Sequence, residues 1–229
     1  MNALIFGASG GLATALADAL MARQWSVDLV TRKERREALE RRYATAVESR
    51  SARIFSVAQK YSDFDATQSY NAYFFTQSLF WREPLVSMNE SDIASQLEVG
   101  LAEPIRLTRK LLLQPAPSAG VRSDYCFIGS TSSYAGFRDT SVYCAVKHGM
   151  LGFVRAMNDE YAQSDTRFWL FSMGTMNTEM GAKLTAQDPS SFLQPDDVAE
   201  RLVEAISSPS NLFEPELLIR RRTIRFLEK

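Results

Sequence analysis

Short, unbroken apolar runs alternate along the chain with longer segments in which apolar residues return every three or four positions. The run ALIF (3–6) has the pattern of a strand buried on both faces. Behind the turn GASGGLA, residues Leu12, Leu16, Ala19 and Leu20 recur at helical spacing. SVDLVT (26–31), RIFSVA (53–58) and AYFFTQSLF (72–80) read as the second, third and fourth strands. SDIASQLEVGLAEPIRLTRKLLL (91–113) predicts one long helix, with Ser91 or Asn89 as its cap and a kink at Pro104. DYCFIGS (124–130) is a fifth strand, and a helix runs from 141 to 161. RFWLFSMG (167–174) is a sixth strand, QPDDVAERLVEAISS (194–208) an amphipathic helix, and PELLIRR (215–221) a last strand. Strands alternating with helices imply an α/β fold, a doubly wound parallel sheet of about seven strands, in one domain spanning 1–229.

The segment RKERREALERRYA (32–44) is densely charged. Acidic residues interleave the basic ones, so it reads as a solvated helix with Arg36–Glu40 and Glu37–Arg41 pairs, not as a nucleic-acid patch. The whole chain has a formal net charge of −1, which gives no bulk attraction to nucleic acid. With 229 residues and 45% hydrophobic content, it can bury a sizeable core. Its two cysteines, Cys126 and Cys144, sit inside apolar patterns, so no disulfide framework is expected and a reducing, cytoplasmic setting is the default. The N-terminal run reaches Gly7 too soon for a signal peptide, and no segment approaches the ~18 apolar residues of a membrane span. The single histidine, His148, cannot build a metal site alone; no metal is expected.

Two features carry chemistry. Glycines in GASGGLA let the backbone turn tightly between strand and helix, where a helix N-terminus attracts phosphate. In VYCAVKHGM, Tyr143 and Lys147 lie four apart, on one face of a helix. An ammonium held near a phenol lowers its pKa and makes a proton donor and acceptor.

The spacing of Gly7, Gly11 and Ala13 resembles the short-chain dehydrogenase/reductase pattern, with alanine in the third glycine place. The resemblance runs along nearly the whole chain. YCAVK matches the family's Tyr-x-x-x-Lys, Ser130 stands thirteen positions before Tyr143 where the family has a serine, and SMGTMNTEM resembles its loop after the sixth strand. Met173 replaces the usual proline there, whereas Gly174 and Thr178 match. The resemblance implies a Rossmann-like fold and hydride transfer between a nicotinamide and a carbonyl or alcohol substrate. Tyr143 would exchange a proton with the substrate oxygen, Lys147 would lower the phenol pKa and hold the nicotinamide ribose, and Ser130 would bind the substrate oxygen. Ser132 and Ser133 are rivals for that last role. Cofactor contacts would come from Gly7, Ser9, Gly10, Gly11, Leu12, Thr31, Arg32, Gln77, Gly174, Met176 and Thr178, besides Tyr143 and Lys147. A short polar lid would lie near 179–192, and two long helices would pair copies into a homodimer or homotetramer.

The chain departs from the family in two places. TQSL (76–79) replaces the usual Asn-Asn-Ala-Gly. Gly100 stands where the family has an asparagine that holds a relay water, and is expected to leave a solvent-filled gap. Both feed a rival reading, a catalytically weak dinucleotide-binding sensor or assembly partner. Met173, Met176 and Met180 either fill core gaps or line an apolar pocket. For the cofactor, Asp28 falls mid-strand, too early to reach a ribose, whereas the neutral Thr31 ends the strand and Arg32 and Lys33 follow. NADP(H) is therefore expected over NAD(H), because a guanidinium suits a 2′-phosphate and no carboxylate repels it.

Overall fold

The computed structural model describes residues 1–114, 122–208 and 213–227. The first four strands are β1 (Asn2–Phe6), β2 (Ser26–Arg32), β3 (Ala52–Val57) and β4 (Ala72–Phe75). They are joined by β5 (Ser123–Ile128), β6 (Thr166–Met173) and β7 (Glu216–Ile219). All seven pair in parallel in the order β3-β2-β1-β4-β5-β6-β7. The strand order reverses between β1 and β4, which opens a crevice at their C-terminal ends.

Period-two alternation divides the core into two layers. Ala3, Ile5, Ala72, Phe74, Cys126, Trp169 and Phe171 face one side of the sheet. There they meet α1 (Gly11–Ala22) and α7 (Pro195–Ser207) through residues such as Leu16, Leu20, Leu202 and Val203. Leu4, Phe6, Tyr73, Phe75, Tyr125, Phe127, Phe168 and Leu170 face the other side. Strand register there lines up two aromatic rows. Phe6, Phe75 and Phe127 stack at 5.5 and 4.5 Å, and Tyr73, Tyr125 and Phe168 at 4.6 and 5.1 Å. Such pairs add about 0.5–1.5 kcal/mol each beyond the area they bury. These rows tie together the strands that carry the candidate site.

The charged segment after β2 is broken into a 3-10 turn (Lys33–Arg35), α2 (Arg36–Arg42) and α3 (Ala44–Glu48). Arg36 and Glu40 pair at 2.7 Å, whereas no Glu37–Arg41 pair forms among the described residues. The fourth strand stops at Phe75 instead of running to Phe80. Thr76 turns the chain by donating its hydroxyl to Phe6 O at 2.6 Å.

The predicted long helix is interrupted. Asn89 caps α4 (Glu90–Leu97) by accepting Asp92 N–H at 2.8 Å. A π-helical turn over Glu98–Ala102 then leads into α5 (Glu103–Leu112). Pro104 lies in the first turn of α5, where its missing N–H costs little, and the irregularity precedes it. Gly100 lies inside the π turn, and it leaves no gap. A Cβ on it would come 2.6 Å from Val146 Cγ1, on α6 (Ser141–Glu160), so α6 already fills the space. Val146 is buried and has no free direction to retreat.

Gly100→Asn should therefore overpack the α6 contact and cost about 1–3 kcal/mol, only partly offset by better helix propensity. A urea melt should show the midpoint falling; an unchanged midpoint would mean that Val146 gives way freely.

Candidate functional site

Gly7 ends the first strand with φ +77°, a conformation that favours glycine. A Cβ there would lie 2.7 Å from Gln77 N, so the close approach of the two chain segments also demands glycine. Gly10 caps α1 with no side-chain hydrogen bond, and no acidic residue occupies the first turn. The orphan N–H groups at this helix start face the crevice mouth and suit an anion. Ser9, Gly10 and Gly11 are exposed around them, whereas the Leu12 side chain is buried in the core, leaving only its backbone for any cofactor contact. Gly11 lies under Thr178: a Cβ would come 2.9 Å from Thr178 Cγ2, so the loop after β6 closes over the start of α1.

The end of the second strand differs from expectation by one residue. The strand includes Arg32, and Thr31 is fully buried with its hydroxyl unpartnered among the described residues. Arg32 is the half-buried residue at the strand end. It approaches the Tyr61 phenol and pulls its pKa down, although burial dominates and drives it up to about 12. No carboxylate lies within ion-pairing distance of Arg32 among the described residues. Asp28 is buried and committed elsewhere. Arg53 holds it with two bonds of 2.8 and 2.5 Å, and the Tyr70 hydroxyl donates to it as well. Gln77, beside Gly7, is buried with both amide atoms unpartnered among the described residues.

The end of β5 and the start of α6 bring Ser130, Tyr143 and Lys147 together. α6 carries Tyr143 and Lys147 on its buried face with Val146, Met150, Leu151 and Val154. Lys147 Nζ donates to Ile128 O, the last residue of β5, at 2.8 Å. The ammonium lies 5.4 Å from the centre of the Tyr143 ring. Burial pushes the Lys147 pKa down to about 8. The Tyr143 phenol is not lowered, as the sequence led one to expect, but raised to about 12: burial dominates, and the Ser130 hydroxyl pulls weakly the other way. The neighbouring hydroxyls divide by role. Ser133 is fully buried and accepts Ser130 N–H at 3.2 Å, and Ser132 is also buried. Ser130 Oγ accepts Ser132 N–H at 3.1 Å and alone of the three acts on the Tyr143 phenol.

Sequence reasoning missed one wall of this site. Because residues 76–80 read as strand, Phe80 was assigned to the sheet. Its ring instead meets Tyr143 edge-on, centroids 4.9 Å apart, and its carbonyl accepts from Lys183 Nζ at 3.3 Å. The segment over 179–192 contains two 3-10 turns, Gly181–Lys183 and Pro189–Ser191. It is tied to the chain's end by Asp188 N–H to Arg225 O at 2.9 Å and Leu227 N–H to Ala186 O at 3.1 Å. Gly174 N–H bonds Ile219 O at 2.9 Å, and Met176 pairs with Leu193 as an isolated bridge. Met173 is core filler, and Met176 packs partly against that core. Both cysteines are buried and free. No helix among the described residues is long and apolar enough to cross a membrane.

Solved structures share the fold. The chain is similar to an alcohol dehydrogenase from Thermococcus sibiricus, complexed with 5-hydroxy-NADP, at a TM-score of 0.81 and 20% identity, covering 96% of each chain. It is similar to serine dehydrogenase from Escherichia coli at a TM-score of 0.78 and 17% identity, covering 98% and 97% of the two chains. Among curated proteins, sepiapterin reductase from Chlorobaculum tepidum is 29% identical over 94 residues, or 41% of this chain and 38% of that protein. The chain therefore matches little more than a third of that relative's length. Residues 1–189 match the short chain dehydrogenase family as a whole. With that match spanning most of its length, the chain belongs to the short chain dehydrogenase family.

Proposed function

We propose that this protein is an NADP(H)-dependent oxidoreductase that moves a hydride between the nicotinamide and a carbonyl or alcohol substrate. The gathering of Ser130, Tyr143 and Lys147 at the end of β5, beside the glycine turn, carries the reading. The residues present fit the cofactor. The uncapped start of α1 suits its pyrophosphate, the Gln77 amide, unpartnered among the described residues, lies next to Gly7, and Arg32 at the ribose end of β2 has no carboxylate within ion-pairing distance among the described residues. NADP is bound in the Thermococcus sibiricus relative as its 5-hydroxy form, which supports the same choice here.

The cofactor supplies or accepts the hydride. Ser130 Oγ orients the substrate oxygen. Tyr143, with its phenol held neutral by burial, gives its proton to that oxygen during reduction and is left as a phenolate, the form that takes a proton back during oxidation. Lys147, near pKa 8, is mostly protonated at neutral pH and can restore the phenol. Phe80 packs against Tyr143 and excludes water from one side. A sensor without catalysis would have no need of these three groups converging, which favours the enzyme. The same reading places the chain in a homo-oligomer built through the helix faces of α4–α5 and α6.

Tyr143→Phe should lower turnover far more than tenfold while cofactor affinity stays within about twofold, because the ring's contact with Phe80 survives. Steady-state kinetics with a carbonyl panel and fluorescence titration of NADPH check this. Residual activity within tenfold of wild type, about 1.4 kcal/mol of barrier, would remove Tyr143 as the acid.

Lys147→Met should weaken NADPH binding, yet stabilise the fold at pH 7. A shift from 10.5 to about 8 corresponds to roughly 3 kcal/mol of burial cost for the ammonium. Loss of the bond to Ile128 O returns about 1 kcal/mol of that. Below pH 8 folded and unfolded chains both hold the proton, so the cost is present in full. From pH 8 towards 10.5 only the unfolded chain holds it, and wild-type stability recovers as pH rises. Urea melts at pH 7 and pH 10 should show the advantage of the variant shrinking; a constant difference would contradict the depressed lysine.

Wild-type protein should bind NADPH about ten- to a hundredfold more tightly than NADH, the equivalent of the ~1.5–3 kcal/mol of a charge-assisted contact. Arg32→Ala should erase most of that preference in parallel titrations. A preference that survives the substitution would assign the 2′-phosphate to another residue.

A further inference from the structure

The segment that follows β7 carries Arg220, Arg221, Arg222 and Arg225 within six positions. None of the four has a carboxylate within ion-pairing distance among the described residues. Arg220, Arg222 and Arg225 are exposed, and water can serve them. Arg221 is different. It is only partly exposed, and burial lowers its pKa. Its guanidinium lies 5.5 Å from the centre of the Phe192 ring. Its Nη1 donates to Ser191 Oγ at 3.5 Å. Its side chain runs against Gly174, where a Cβ would meet Arg221 Cγ at 3.5 Å and Nε at 3.7 Å. A cation held in place on three sides, partly out of water and with no counter-charge among the described residues, is costly unless an anion arrives.

The surroundings are built for one. A cavity of about 230 Å³ opens beside Arg221, lined by Ser190, Ser191, Phe192, Arg222 and Arg225 among others, and no carboxylate among the described residues lines it. Asp188, the nearest acid on the same loop, is already occupied: it accepts Ser190 N–H at 2.9 Å and the Ser190 hydroxyl at 2.7 Å, and feels Arg225 only at longer range. Ser191 gives its own proton to Asp188 O at 2.7 Å, so its oxygen accepts from Arg221 and from the Arg225 backbone N–H at 3.4 Å. The remaining N–H groups of the guanidinium fork have no partner among the described residues and suit a planar or tetrahedral oxyanion.

Gly174 places this cavity at the C-terminal ends of β6 and β7, on the loop that continues to Thr178 above Gly11. We infer that Arg221, with Arg225 and Arg222 at its rim, binds a carboxylate or phosphate group carried by the substrate. This deepens the oxidoreductase reading and rests on it for the word substrate. The site itself is an oxyanion site whether or not that reading holds.

The test uses inorganic phosphate and a pair of aldehydes. Phosphate is titrated calorimetrically, at matched ionic strength, into the full-length protein saturated with NADP⁺, and into Arg221→Met and Arg221→Lys. Wild type should bind phosphate; Arg221→Met should bind it at least tenfold more weakly, with Arg221→Lys between the two and NADP⁺ affinity unchanged in both. In kinetics, 4-carboxybenzaldehyde should exceed benzaldehyde in kcat/KM by at least tenfold. That advantage should vanish in Arg221→Met and be inhibited competitively by phosphate. Equal phosphate binding by wild type and Arg221→Met, or none by either, overturns the site. Displacement of phosphate by NADP⁺ also overturns the proposal, because the group recognised would then belong to the cofactor. Arg221-dependent phosphate binding without reduction of either aldehyde upholds the oxyanion site, and it is then the oxidoreductase reading that fails.

Discussion

The C-terminal ends of β1 and β4 come so close that no side chain fits between them. Gly7 faces Gln77 N across a distance at which a Cβ would be 2.7 Å away, and Thr76 binds Phe6 O from the other direction. That closeness lies where the strand order reverses within the continuous sheet, at the paired ends of β1 and β4. It also forces the positive φ that swings the chain into α1 with its first N–H groups bare. The floor of the crevice, the anion-attracting helix start and the burial of Gln77 all follow from one tight approach. A methyl group at residue 7 would disturb all three together.

Around that crevice, burial sets the chemistry more than charge does. Tyr143 and Lys147 sit on the same helix face, yet the lysine does not ionise the phenol in this structure. Both groups are pushed towards their neutral forms, the phenol upward and the ammonium downward, by the same loss of water. The result is a pair whose acid is intact at neutral pH and whose lysine titrates close to it. Such a pair suits a site that delivers a proton when an oxygen gains negative charge.

Much of the fold was readable in the chain, because both-face burial leaves unmistakable apolar runs and the helices keep strong periodicity. All seven strands and the 141–161 helix lie where the pattern puts them, within one or two residues at most ends. The errors share a physical origin. Residues 76–80 are apolar and β-prone, but Thr76 spends its hydroxyl on Phe6 O and ends the strand, so Phe80 turns towards Tyr143. The helix over 91–113 has no local signal for a π turn other than Gly100. The contact that accounts for that glycine, with Val146, comes from α6, 46 residues later in the chain. For the candidate site, the resemblance named Ser130, Tyr143 and Lys147, and the fold brings these three close together. The direction of the Tyr143 shift was not readable, because it depends on how completely packing excludes water. Arg221 escaped notice since a run of arginines near a chain end looks like solvated surface until Gly174, Ser191 and Phe192 are seen around it.

Residues 186–188 are laced to residues 225–227 by main-chain bonds on both sides of Gln187, with Gln187 and Phe226 paired antiparallel between them. A loop anchored in this way cannot swing on its own hinges. Any motion that admits or releases a ligand must either carry residues 225–227 along or break this miniature ribbon, so the two segments form one moving body. Arg221 lies at the base of that body, a few residues before the ribbon. An anion seated on it would therefore sit at the foot of the ribbon, and the free energy of holding that anion would add to what keeps the ribbon paired.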